Sequence, residues 1–108
     1  MTYDDALARH EALVASHEGI AVKGKANRYT ALNGNMFSFL DKSGALCLRI
    51  GKEARAALPA DQVSEPVVQY GSVMRDYVEV SEAAASDAQV LERLFALSLD
   101  HARGLKPR

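Results

Sequence analysis

Residues 28–51 read RYTALNGNMFSFLDKSGALCLRIG, and this stretch decides the fold. Asn33-Gly34 stands between two runs rich in aromatic and β-forming residues, the strongest short-range signal for a hairpin. A type I′ turn needs positive φ at both central residues, and Asn and Gly accept it most readily. The turn predicts Leu32 opposite Asn35 and Thr30 opposite Phe37. A second turn is expected at Asp41-Lys42-Ser43-Gly44, setting Leu40 against Ala45, Phe39 against Leu46 and Phe37 against Leu48. With strict alternation, one face carries Leu32, Phe37, Phe39, Leu46, Leu48 and Ile50. The other carries Tyr29, Ala31, Met36, Ser38, Cys47 and Arg49. The first set is large and apolar and is expected to face the core. The second is mixed and is expected to face solvent or a partner.

Outward from this centre, the flanks read as helical cover and further strands. Tyr3, Leu7, His10, Val14 and His17 recur at helical spacing, so a helix is expected from about Tyr3 to His17, capped by Thr2 with Asp5 three residues on. Ile20-Ala21-Val22 reads as a possible strand start. Lys52 to Leu58 reads as a short helix between Gly51 and Pro59. Strands are expected from Pro66 to Tyr70 and from Met74 to Val80, with Val78 and Val80 on one face and Tyr77 on the other. Ser86 with Gln89 suggests a capping box opening a last helix to about Arg103. Its inner stripe is Val90, Leu91, Leu94, Leu97, His101, Ala102 and Leu105. Phe95 and Leu99 fall off that stripe, four residues apart, and are expected either to pack on a loop or to form a subunit contact. The elements make an α+β domain in the order α-β-β-β-α-β-β-α, spanning 1–108 as a single domain.

Composition narrows the function classes. The chain has 108 residues, 48% hydrophobic and 25% charged, in the ordinary range for a globular protein. A net charge of −1 gives no global electrostatic case for nucleic acid or anionic membrane. One cysteine permits no internal disulfide and suits a reducing compartment. The acidic, amphipathic N-terminus is unlike a signal peptide, and no apolar run approaches the roughly 18 residues of a spanning helix. A cytoplasmic protein is expected.

No catalytic, metal or phosphate-binding motif stands out, so no cofactor is expected. His10 and His17 are two helical turns apart, about 10.5 Å, too far to ligate one metal directly. They and His101 read as boundary residues with hydrogen-bonded rings. Asp76 and Glu79 point to opposite faces of a regular strand and are not expected to work as a carboxylate pair. Cys47 would need a base and an electropositive setting to act as a nucleophile; Arg49, two residues along, offers weak support. Tyr29, Met36, Arg49 and Tyr77 offer a protein-binding sheet face. Lys23, Lys25 and Arg28 offer an anion or nucleic-acid contact, although lysines also serve to keep sheet edges from pairing, and that plainer reading is favoured.

Within this order, LNGNMFSFLDKSGALCLRIG, then QYG, then YVEV, then a capped last helix, resembles the N-terminal domain of the TfoX/Sxy family, in its short stand-alone form, over about residues 3 to 105. The resemblance implies a two-layer fold like that of secretion chaperones, with an antiparallel five-stranded sheet. It also implies a bacterial regulatory role connected with competence and DNA uptake. Ala26, Asn27, Arg28 and Tyr29 stand where long members carry a Met-Phe-Gly-Gly-like segment, and the second, helical domain of long members has no counterpart here. The first expectation is therefore a non-enzymatic regulatory or protein-interaction module, a homodimer with a protein partner. The second is a small-molecule-binding protein or small enzyme using the sheet face around Tyr29, Cys47 and Arg49. A third is nucleic-acid binding through the basic segment, which the net charge disfavours.

Overall fold

The computed structural model describes residues 3–25, 28–69 and 71–107. Helix α1 spans Tyr3–Ala15, and a meander of β1 (Tyr29–Leu32), β2 (Asn35–Leu40) and β3 (Leu46–Arg49) follows. Next come α2 (Lys52–Ala56), β4 (Val63–Ser64), β5 (Val68–Gln69), β6 (Ser72–Val73) and β7 (Tyr77–Val80). Helices α3 (Glu82–Ala85) and α4 (Ala88–Arg103) close the described chain. The main sheet is five-stranded in the order β1-β2-β3-β7-β4, and its pairings are antiparallel. The α+β architecture with a five-stranded antiparallel sheet is as expected, with one exchange of parts. The fifth strand is Val63–Ser64, while Val68–Gln69 pairs with Ser72–Val73 in a separate two-stranded ribbon. The expected Thr2 cap, Ala26, Asn27 and Tyr70 lie outside the described residues.

The Asn33-Gly34 turn forms as expected: φ is 53° and 82° at its two centres, and Leu32 faces Asn35. Four residues further on, the register departs from simple alternation. Thr30 pairs with Ser38 and Ala31 with Met36, so Phe37 has no opposite number. Phe37 is an extra residue in β2, a β-bulge, and it turns over every side chain that follows. Ser38 and Leu40 therefore face the helices, and Phe39 faces away. The second turn is also one step longer than expected, pairing Leu40 with Leu46, Phe39 with Cys47 and Ser38 with Leu48. Asp41 holds that turn: its Oδ1 accepts from Ser43 N, Ser43 Oγ and Ala45 N at 2.9, 2.6 and 3.0 Å.

The helices cover one face of the sheet. Phe37, Leu40, Leu46, Leu48, Ile50, Val78 and Val80 meet Leu13, Val14, Leu91, Leu94, Phe95, Leu99 and Ala102 in the main core. The rings of Phe37 and Phe95 lie 5.7 Å apart at 57°, the tilted arrangement aromatic pairs favour. Phe95 and Leu99 are 0% and 2% exposed, which corrects their expected place off the inner stripe. The sheet meets α4 along one side, while the ring of His17 packs against Phe95 along another, so the buried arc of this helix is wider than a single stripe.

The bulge is tied down from α4. Ser98 is buried, and its hydroxyl lies 2.8 Å from the carbonyl oxygens of both Phe37 and Arg49. A hydroxyl has one proton to donate, so the two carbonyls share it. Caps also differ from expectation. Asp87, not Ser86, opens α4, its carboxylate accepting from Gln89 N and Val90 N, and Ser81 caps α3 through Ala84 N. Helix α1 stops at Ala15, where Ser16 Oγ donates to the Leu13 carbonyl.

Candidate functional site

The outer sheet face, where a mixed surface was expected, is largely covered. Phe39, Cys47, Tyr77 and Val67 form a second, smaller buried cluster, with Tyr29, Met36 and Met74 packed around it. Tyr77 is buried, its ring 5.5 Å from that of Phe39 and its hydroxyl donating to the Met36 carbonyl. Tyr29, Met36 and Arg49 are half-buried on the same face. Tyr77 is thus a packing residue, while Phe95 and Leu99 lie across the sheet in the main core. The six expected interface residues do not form one surface.

Cys47 sits at the centre of that covered cluster. Its thiol is pushed up to about 12, chiefly by burial, then by the carboxylates of Asp41 and Glu79. An activated cysteine needs the opposite setting, exposed and electropositive. Asp41, Cys47 and Glu79 each bring one donor atom within 4.8 Å of the others. These are the residues that could hold a metal ion, although they would have to close to about 3.5 Å spacing to surround a tetrahedral zinc.

The basic segment forms a sheet edge. Lys23 exchanges backbone hydrogen bonds with Tyr29 at 2.8 and 3.0 Å, and Lys23 and Lys25 are exposed. Arg28 is half-buried, with its carbonyl accepting from Leu40 N. Asp76 and Glu79 do not meet. Asp76 precedes β7 at φ 69° and lies 3.3 Å from the Arg55 guanidinium, whereas Glu79 stands opposite Cys47. Of the histidines, His17 contacts Glu92 at 2.9 Å. His10 is buried at 1% exposure and joins Ser38 through Nε2 at 2.9 Å. His101 is half-buried, and a Cβ added at Gly51 would come within 3.0 Å of its Nδ1.

Two features went unread in the sequence. The first is the outward valine pair on the β5–β6 ribbon, where a strand from Pro66 to Tyr70 was expected but its exposed side chains were not. Val68 and Val73 are cross-strand partners, 51% and 61% exposed. Their neighbours Val67 and Met74 pack inward and are joined by the bond from Met74 N to Val67 O. Strand alternation therefore anchors one pair and turns the next pair outward. The doublet Val67-Val68 beside Gly71 was the available signal, since two adjacent valines in a strand cannot both face in. The second is a chain of buried hydroxyls behind His10: Ser38 Oγ lies 2.5 Å from Thr30 Oγ1.

Among the described residues, no helix is long and apolar enough to cross a membrane. Comparison with known proteins gave no match: no family model, curated protein or solved structure is significantly similar to the chain.

Proposed function

We propose that this chain is a regulatory protein-interaction module that acts by contact, with the β5–β6 ribbon as its contact surface. The observation that carries this reading is the outward pair Val68 and Val73. Two apolar side chains held side by side in water by an anchored ribbon offer a partner a ready patch to cover. The resemblance to the N-terminal domain of the TfoX/Sxy family gives the reading its direction, toward control of bacterial DNA-uptake genes from the cytoplasm. Self-association belongs to the proposal as well. The sheet ends at β1, where Tyr29 is already bridged to Lys23, and at β4, and edge strands pair readily with another chain. A ligand or catalytic site around Cys47 and Arg49 is the weaker reading, because the thiol there is closed in and held protonated.

The test compares tagged wild-type protein with a folded Val68→Ser/Val73→Ser variant in affinity capture from the native lysate after nuclease treatment. A stoichiometric protein held by the wild type and lost by the variant is expected. Identical capture by both would overturn the ribbon as the contact surface, and no captured protein at all would overturn the module. Light scattering addresses the homodimer separately, and a monomer mass at high micromolar concentration would refute it.

A further inference from the structure

The outer face of the sheet brings three metal-binding side chains together from neighbouring strands. Cys47 on β3 stands directly opposite Glu79 on β7 and, on its other side, opposite Phe39 on β2. The β2–β3 ladder runs one step further, through the bond from Asp41 N to Ala45 O. Asp41 lies two residues beyond Phe39, so alternation sets it on the face of Cys47 and Glu79. One donor atom of each of the three lies within 4.8 Å of the other two.

The thiol is what separates this group from a pair of surface carboxylates. Cys47 is 1% exposed, and among the described residues its sulfur has no hydrogen-bond partner. It stands within reach of both carboxylates, so it points toward them. No ion pair among the described residues engages Asp41 or Glu79, and Arg49, the next residue on this face of β3, pairs with neither. Two acidic groups therefore flank a buried sulfur with no cation between them. Charges gathered at such a place are ordinarily paired or coordinate a metal. We propose that Asp41, Cys47 and Glu79 bind one divalent cation of the zinc class on the outer face of the sheet.

The donor set selects the ion. Calcium and magnesium take oxygen ligands, about six or more of them, and would leave the sulfur unused. Zinc accepts thiolate and carboxylate in one tetrahedron, and three protein ligands leave its fourth position open. The donor atoms would close by roughly 1.3 Å from their present 4.8 Å to reach zinc's spacing. Glu79 is exposed and has the freedom to make that movement. Asp41 is already fixed, because its Oδ1 is spent on the β2–β3 turn, which leaves the other oxygen for a metal. Phe39, Val67 and Tyr77 close in the sulfur, so the ion enters from the side of Glu79. The thiol proton passes to solvent as the sulfur–metal bond forms.

The probe is cobalt(II), which occupies zinc sites and absorbs by charge transfer when a thiolate binds it. The reduced, chelator-treated full chain is titrated first with cobalt(II) and then with zinc(II). A charge-transfer band that saturates at one cobalt per chain is expected, and zinc should abolish it while magnesium leaves it in place. Cys47→Ser should remove the band. Glu79→Gln, at an exposed position, should weaken cobalt at least about tenfold. Glu11→Gln, which changes an exposed carboxylate on α1, should leave binding unchanged. The proposal is overturned if millimolar cobalt raises no charge-transfer band. It is also overturned if Glu79→Gln keeps full affinity, or if magnesium removes the band as readily as zinc. The band of the wild-type chain alone decides whether the sulfur coordinates, so the outcome does not depend on a variant folding.

Discussion

Acid is expected to destabilise this protein through one residue, His10. The ring is almost wholly buried, and burial lowers its pKa from 6.5 to about 4. Between those two values the unfolded chain binds a proton that the folded chain refuses, so stability rises with pH across that window. The contribution is fully present above about pH 6.5 and falls as the pH drops toward 4. At about 1.4 kcal/mol per pH unit, the gap between 6.5 and about 4 amounts to about 3 kcal/mol. That is a large share of the ~5–15 kcal/mol typical of a whole domain. The assay is urea unfolding of the wild type and of His10→Gln, at about pH 7 and about pH 4. Every other ionisable group is common to both proteins and cancels in the difference. The wild type should lose about 3 kcal/mol relative to the variant between the two conditions. A difference that stays constant with pH would refute the reasoning, because a ring that titrates normally in the fold contributes no such slope.

Three further outcomes are expected. Cys47 should resist an aromatic disulfide reagent in the folded protein: a thiol raised from 9.0 to about 12 has roughly a thousandfold less thiolate, and denaturant should release it. Native labelling at the unfolded rate would contradict this. Ser98→Ala should cost about 1–3 kcal/mol by chemical denaturation, because the carbonyls of Phe37 and Arg49 lose their shared donor; a loss below about 0.5 kcal/mol would mean that they find another. Asp87→Ala should cost about 1 kcal/mol and Ser86→Ala nearly nothing, since the aspartate carboxylate is what receives the first amides of α4. The reverse order would reinstate the serine cap.

The turn chemistry of the centre was legible because it is local. Asn33-Gly34 specifies its own backbone, and Leu46, Leu48 and Ile50 face the core as the alternation predicts. Phe39 and Ser38 were placed on each other's faces because the bulge at Phe37 has no local signature. Its support comes from Ser98, 61 residues away, and from His10, which reaches Ser38 across the layers. That exchange also hid the hydroxyl network, since a serine assigned to the outer face cannot meet a histidine on the inner one. The apolar face of α1 did predict a hydrogen-bonded His10, but not its partner. Phe95 and Leu99 were misjudged for a different reason: a helical stripe assumes one neighbour, and α4 has more than one.

The strand order carries a consequence for the chain while it is being made. β7 lies between β3 and β4 in the finished sheet, yet it is translated after both. Between the last residue of β3, Arg49, and the last of β7, Val80, a ribosome working at about 5–20 residues per second needs about 2–6 s. For that interval β3 has an open side with no mate, next to a hydrophobic face that α4 has not yet arrived to cover. The nascent chain, rather than the mature protein, is where this sequence is most exposed to pairing with the wrong strand.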